Sequence, residues 1–327
     1  MLHRIVAGFT AAVAAFAAAG VAAQQYPTRP VQIVVPFAAG GPTDTVARTV
    51  ADAMTKALGS GATIVVENLG GAGGTIGAAK VAKANPDGYT LLVHHIGMAT
   101  APTLYRKMQY DALKDFEYIG LINDVPMTLL TRNGFPAKDV KSLVAYLKAN
   151  ASKVTLANAG IGSASHLCGL MFMSAIDQEL TTVPYKGTAP AMADLMGGQV
   201  DLLCDQTTNT TQQIRGGRVQ ALAITSPKRI DSLKELPTMA ESGFPGFSIS
   251  IWHGLYAPKG TPKPVVDKLV AALQQALKDP GLNKRFADLG AETVTQDRAT
   301  PAALQKFLTD EINRWGPVIK KAGVYAD

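Results

Sequence analysis

Three short stretches carry glycine and hydroxyl residues in the arrangement of an anion-holding turn: FAAGGPTD (37–44), GGAGGT (70–75) and AGIGSAS (159–165). Glycine lets the main chain approach a ligand closely, and a helix starting just beyond offers unpaired N–H groups and a partial positive charge. Carboxylate or phosphate is the natural guest. A tight connection can also use glycine for its φ angle alone, so a single such turn does not define a site. Gly71, Gly73 and Gly77 miss the GxGxxG spacing, and no turn ends in the Lys-Ser/Thr of a phosphate-binding loop. Three loops without a nucleotide signature point to a small carboxylate.

Nucleophilic chemistry has weaker support. Ser163 or Ser165 with His166 is not a nucleophile elbow, because GxSxG is absent and adjacent side chains on a helix start diverge. Cys168 lacks the signature of a catalytic thiol. A secreted hydrolase or transferase is the alternative to a binding protein. His94 and His95 end a strand, where alternation sends one ring to each face, toward the cleft or toward core or solvent. No carboxylate or cysteine spacing around them completes a metal site, so neither metal nor cofactor is expected.

The elements that must position these residues alternate. Apolar runs precede each turn and amphipathic helices follow, which argues for mostly parallel α/β sheets. Residues 89–93 read as a strand after the turn Asn85-Pro86-Asp87-Gly88. A helix over 138–148 buries Val140, Leu143, Val144 and Leu147. Thr188-Ala189-Pro190 opens a helix with Thr188 as its cap, Gly197-Gly198 ends it, and a strand at 200–204 follows. Beyond Pro262 and Pro301 lie two longer helices whose apolar faces include Leu269 and Leu273, then Leu304, Leu308, Trp315 and Ile319.

Residues 1–23 have His3 and Arg4 at the front, an apolar core and Val21-Ala22-Ala23 before Gln24, which reads as a secretory signal cleaved near Ala23. No later stretch is long and apolar enough for a membrane span, which needs about 20 residues. Without the signal, 30 basic residues face 25 acidic ones. This mild excess favours anionic ligands by steering, and without a basic run interleaved with aromatics it argues against nucleic acid. About 300 residues suit two domains. The two cysteines, Cys168 and Cys204, can close a disulfide in an oxidising compartment or stay as buried thiols.

Two extended runs, residues 117–133 around Pro126 and residues 244–258, resemble crossings between domains. They imply a first lobe from 24–125 and 250–327 and a second from 126–249, with a ligand cleft between them.

The linked set VPFAAGGPTDTVAR, GGAGGTIG, NPDGYTLL, GIGSASHL, VPYKGTAPAMADLMGGQVDLLCD, LPTMAESGFPGF and IWHGLYAPKGTP resembles the solute-binding proteins of tripartite tricarboxylate transporters, the Bug family. The resemblance covers residues 25–327. It implies a monomeric periplasmic receptor of type II-like two-lobed fold, each lobe a mostly parallel sheet flanked by helices. Such a receptor closes on a small carboxylate, held partly through ordered water, and delivers it to the membrane subunits of a transporter.

Carried over residue by residue, Phe37, Ala38, Gly40, Gly41 and Asp44 form one jaw, with Asp44 also able to serve as a plain helix cap. Gly160, Gly162, Ser163, Ala164 and Ser165 form the opposing jaw. His95 stands where many family members carry small hydroxylated residues, a departure from the pattern. Tyr185 and Asp205 fall on the cleft floor, where an acid suits a ligand that also bears a donor, or merely caps the TTNTT segment. The ligand class is a dicarboxylate, hydroxy acid, amino acid or aromatic acid. Trp252 and His253, on the second crossing, touch the ligand or act in the hinge.

Overall fold

The computed structural model describes residues 26–323, 325 and 326. The expected signal segment lies outside them. Among the described residues no helix is long and apolar enough to cross a membrane.

The apolar runs become strands. β1 (Val31–Val35) lies between β2 (Ile64–Asn68) and β3 (Thr90–His95), all parallel. β4 (Phe116–Thr131) is the long crossing. Past it, β5 (Thr155–Asn158) lies between β6 (Thr181–Pro184) and β7 (Leu202–Gln206), again all parallel. β8 (Gln220–Ile224), β9 (Ser250–Pro258) and β10 (Glu292–Thr293) run antiparallel to β4. The strand order is β2-β1-β3-β9-β4-β7-β5-β6. Each parallel triad, with helices on its faces, makes one lobe of a two-lobed α/β architecture.

β4 serves both lobes. From Phe116 to Pro126 it pairs with β9, and from Met127 to Thr131 with β7 and β8. Pro126 therefore does not interrupt the strand. It stands where the ladder changes partner, a position at which a missing N–H costs little. The second crossing is shorter than expected, with only its later part forming β9.

Parallel strands place all their carboxyl ends on one side, and connections that leave from there gather at one edge. The turns after Val35 and His95 share that edge in one lobe, and those after Asn158, Pro184 and Gln206 share it in the other. These two edges face each other.

Side chains lock the frame. Trp252 on β9 and Trp315 on the Pro301–Ala322 helix both donate their indole N–H to Glu311 Oε2, at 3.2 and 3.0 Å. This explains an acid on the helix face that buries Leu304, Leu308 and Ile319. The Val140–Asn150 helix starts at a capping box in which Asp139 and Ser142 satisfy each other.

Cys168, in the Ala164–Ile176 helix, and Cys204, on β7, form a disulfide with a Cα–Cα distance of 6.0 Å. Both are buried, and the bond ties the helix to the strand that carries Asp205. Cross-links over a loop of this length stabilise by about 2–5 kcal/mol. Reduction, or replacement of both cysteines by alanine, should lower the melting temperature by about 4–10 °C. An unchanged melting temperature, or two free thiols in denatured unreduced protein, would contradict the bond.

Candidate functional site

Four helix starts meet at one cavity between the facing edges. Their contributions are Pro42 and Thr43 of the Pro42–Leu58 helix, Ala164 and Ser165 of the Ala164–Ile176 helix, Thr188 of the Thr188–Met196 helix, and Gln206, which caps the Thr207–Arg215 helix. Phe37, His95, Ala159 and Asp205 complete the lining, which contains no Lys or Arg. The cavity encloses only about 10 Å³, room for roughly one water molecule. Larger hollows beside Ile230 and Met171 are open to the surface.

The first jaw is braced by its own acid. Asp44 Oδ2 accepts from the Gly40 N–H at 2.9 Å and from Arg48 Nε at 3.0 Å, while Oδ1 accepts from Asn68 Nδ2 at 3.0 Å. Burial opposes ionisation, but the bonds from Arg48, Gly40 and Asn68 outweigh it and hold the carboxyl below its ordinary range. Asp44 thus shapes the loop and does not face the cavity. Pro42 has no N–H to give, and the N–H groups of Thr43 and Asp44 close no bond within the chain.

In the second jaw, most polar groups serve the turn itself. Ser163 caps the helix by accepting from the His166 N–H, and Ser165 Oγ accepts from the Ala159 N–H at 2.8 Å. The Gly160 N–H goes to Asn158 Oδ1 and the Gly162 N–H to His166 Nδ1. The N–H groups of Ala164 and Ser165, both at the cavity, close no bond within the chain.

The lobes touch through bonds onto main-chain carbonyls. The Ala38 N–H donates to the Lys186 carbonyl at 3.0 Å, and Thr100 Oγ1 and Tyr105 Oη donate to the carbonyls of Gly162 and Ile161 at 2.7 and 2.8 Å. The second glycine turn belongs to this contact and not to the cavity. Gly73, at φ 60°, lies so close that a Cβ there would stand 2.0 Å from the Ile161 carbonyl oxygen.

Three imidazoles underlie the first jaw. His95 stacks on Phe37, with centroids 4.6 Å apart, and His94 meets the same ring edge-on. Both rings thus gather at Phe37, and only His95 lines the cavity. Its Nδ1 accepts from the Gly97 N–H at 3.0 Å, which leaves the proton on Nε2 as a donor. His253, opposite His95 on β9, donates from Nδ1 to Asn123 Oδ1 at 2.9 Å and receives the Thr43 hydroxyl at Nε2 over 3.4 Å. Among the described residues no three His, Cys, Asp or Glu side chains converge as metal ligands.

Asp205 lies within β7, because that strand runs two residues further than expected. Its Oδ2 accepts from Asn209 Nδ2 at 2.6 Å. Burial raises its pKa to about 6, against the lowering effects of the Asn209 bond, the Gln206 N–H and the Thr188 hydroxyl. Tyr185 sits outside the cavity, on a surface hollow, and donates its hydroxyl to Asp194 at 2.6 Å. Of the residues read from the sequence, Phe37, His95, Ala164, Ser165 and Asp205 meet at the lining, while Ala38, Gly40, Gly41, Asp44, Gly160, Gly162 and Ser163 build the turns around it. Thr43, Thr188 and Gln206 were missed. The Thr188 signal was present as a helix start, but Gly187 takes the cap position and the Thr188 hydroxyl lies at the Asp205 carboxyl instead.

A buried cavity between two α/β lobes at the carboxyl ends of parallel strands is the site of a periplasmic-type binding protein. A family model described as tripartite tricarboxylate transporter family receptor matches residues 46–324, and the chain belongs to that family. It is 52% identical to the "UPF0065 protein in the TAR-I ttuE-ttuC' intergenic region" of Agrobacterium vitis over 92% of this chain and 87% of that one. The fold is similar to that of the periplasmic binding protein BugD, with TM-score 0.89 and 57% identity over 92% of this chain and 100% of that one. It is also similar to MatC from Rhodopseudomonas palustris with bound malate, with TM-score 0.86 and 41% identity over 90% of this chain and 100% of that one.

Burial pushes His95 down to about 3 and His166 to about 4, and it holds His94 and His253 well below the ordinary range. A histidine with a depressed folded pKa contributes stability above its unfolded pKa, about 6.5, that is lost as pH falls below it. Asp205, with a raised pKa, acts oppositely: its cost appears as pH rises from about 4 through 6. Four imidazoles outweigh one carboxyl, by about 3 kcal/mol between pH 6.5 and 5.5. The melting temperature should fall by about 5–10 °C over that unit. A flat profile would contradict neutral buried histidines.

Proposed function

We propose that the protein is an exported, periplasmic receptor, cleaved near Ala23 and monomeric, that captures a small carboxylate and delivers it to the membrane subunits of a tripartite tricarboxylate-type transporter. Residues 24–125 with 250–327, and residues 126–249, act as the two closing lobes, hinged where β4 changes partner at Pro126. The observation that carries this reading is the convergence of four helix starts on a cavity without Lys or Arg. Free N–H groups at Thr43, Ala164 and Ser165 and the Nε2–H of His95 are donors suited to a carboxylate, and helix dipoles favour its charge. Malate in the similar MatC is consistent with such a guest.

The protein binds its ligand without transforming it. A hydrolase or transferase reading would rest on the chain Thr43–His253–Asn123, whose order is that of nucleophile, base and orienting group. Its first link spans 3.4 Å and its imidazole is wholly buried. Ester and peptide substrates should therefore remain intact.

A thermal-shift panel of dicarboxylates, hydroxy acids, acidic amino acids, aromatic acids, nucleotides and uncharged sugars tests the receptor reading. A carboxylate at 100 times its dissociation constant adds about 2.7 kcal/mol, a rise of several degrees. A panel in which a nucleotide or sugar shifts melting and no carboxylate does would overturn it.

A further inference from the structure

We propose that Thr207 and Thr211 form a latch that holds the two lobes shut before a ligand arrives. This rests on the two closing lobes proposed above and goes beyond them by assigning what resists their opening. Residues 207–211, TTNTT, are all weak helix formers, yet they open the Thr207–Arg215 helix with Thr207, Thr208, Thr210 and Thr211 buried. Their side chains make bonds instead. Asn209 donates to Asp205, and Thr210 accepts from Thr128 Oγ1 at 2.9 Å, both within the second lobe. Thr207 and Thr211, one turn apart on a shared face, reach into the first lobe. Thr207 Oγ1 donates to the Gly290 carbonyl and Thr211 Oγ1 to the Leu289 carbonyl, each at 3.0 Å.

The receiving end is shaped for this contact. The Pro280–Asp288 helix stops at Gly290, in the left-handed region at φ 77°, where the N–H groups of Gly290 and Ala291 turn back onto the Ala287 and Phe286 carbonyls. The carbonyls of Leu289 and Gly290 lie beyond that turn, both residues are buried, and the threonine hydroxyls satisfy them. A Cβ on Gly290 would stand 2.6 Å from Ile230 Cδ1 and 2.7 Å from Ser232 Oγ, so side chains of the second lobe close in around the contact. On β4, Glu292 pairs with Asp124 and Gln206 with Met127, so the two ends of the contact flank Pro126. A rotation about Pro126 that parts the lobes stretches a bond running between them, and hydrogen bonds weaken steeply once stretched or tilted. Opening therefore breaks both bonds, each of which favours the shut form by about two- to tenfold. Thr207 directly follows Gln206 of the cavity lining, so latch and ligand site move as one piece.

Small-angle scattering of the mature, ligand-free protein tests the latch. The wild type should show the radius of gyration of the closed structure, about 19 Å for a compact chain of about 300 residues. Thr207→Val combined with Thr211→Val keeps the side-chain shape but leaves two carbonyls unpaired when the lobes are shut and hydrated when they part. Its radius of gyration should rise by about 0.5 Å or more as the hinged lobes separate. Thr210→Val removes a buried hydroxyl bond of the same kind from the same helix, but within one lobe. It should melt at a lower temperature yet scatter like the wild type, and Thr207→Ser with Thr211→Ser, which keeps both donors, should also stay compact. If the valine pair does not melt cooperatively, Thr211→Val alone carries the comparison, with a smaller rise. A wild type already expanded, valine variants as compact as the wild type, or an equal rise in Thr210→Val would overturn the latch. Each of these leaves the receptor reading standing, because the thermal-shift panel reports ligand class whatever the lobe width. A nucleotide or sugar as ligand would overturn that reading, while an opened valine pair would still support the latch.

Discussion

Main chain can approach main chain only where no Cβ intervenes, and the enclosed cavity depends on that constraint. Gly73 brings the second glycine turn against the Ile161 carbonyl, and Gly187 sits where a Cβ would stand 2.7 Å from Ala38 N. Around these approaches close the bonds from Ala38 to Lys186, Thr100 to Gly162 and Tyr105 to Ile161. All are directional and none depends on a surface ion pair, so their strength is little affected by salt. They hold four helix starts at one point. Without them the helices would keep their dipoles, but their free N–H groups would face water.

Electrostatics inside the cavity follow from the same geometry. Donors are supplied by backbone and by a neutral imidazole, not by flexible cations, so little side-chain ordering is required on binding. Burial keeps His94, His95 and His253 uncharged, and hydrogen bonds fix which nitrogen of His95 and His253 carries the proton. Asp205 is the exception, a buried acid faced by the Asn209 amide, the Gln206 N–H and the Thr188 hydroxyl. The disulfide from Cys204, next to it on β7, holds its strand against the second jaw.

Much of this was legible in the chain. Periodicity placed the strands and helices, because each apolar face must be buried. Two of the three glycine turns begin helices that do reach the cavity. The third became a packing surface, a distinction sequence spacing cannot make, since glycine serves close contact with backbone and with ligand alike. Thr188 was legible only as a helix start and Gln206 not at all, because both come to the cavity only through the sheet order, with β6 and β7 on either side of β5. His94 and His95 defied simple alternation because both rings gather around Phe37. Asp205 was expected just past the end of its strand; its membership of β7, and hence its burial, appears only with the strand pairing to β4.

The central claim is that the converging helix starts hold a small carboxylate. Mass spectrometry of the small molecule released on denaturing protein purified from its native exported fraction tests it most directly. The account predicts a carboxylic acid of a few carbons at about one per chain. A nucleotide, a sugar or a metal complex released at that stoichiometry would contradict it.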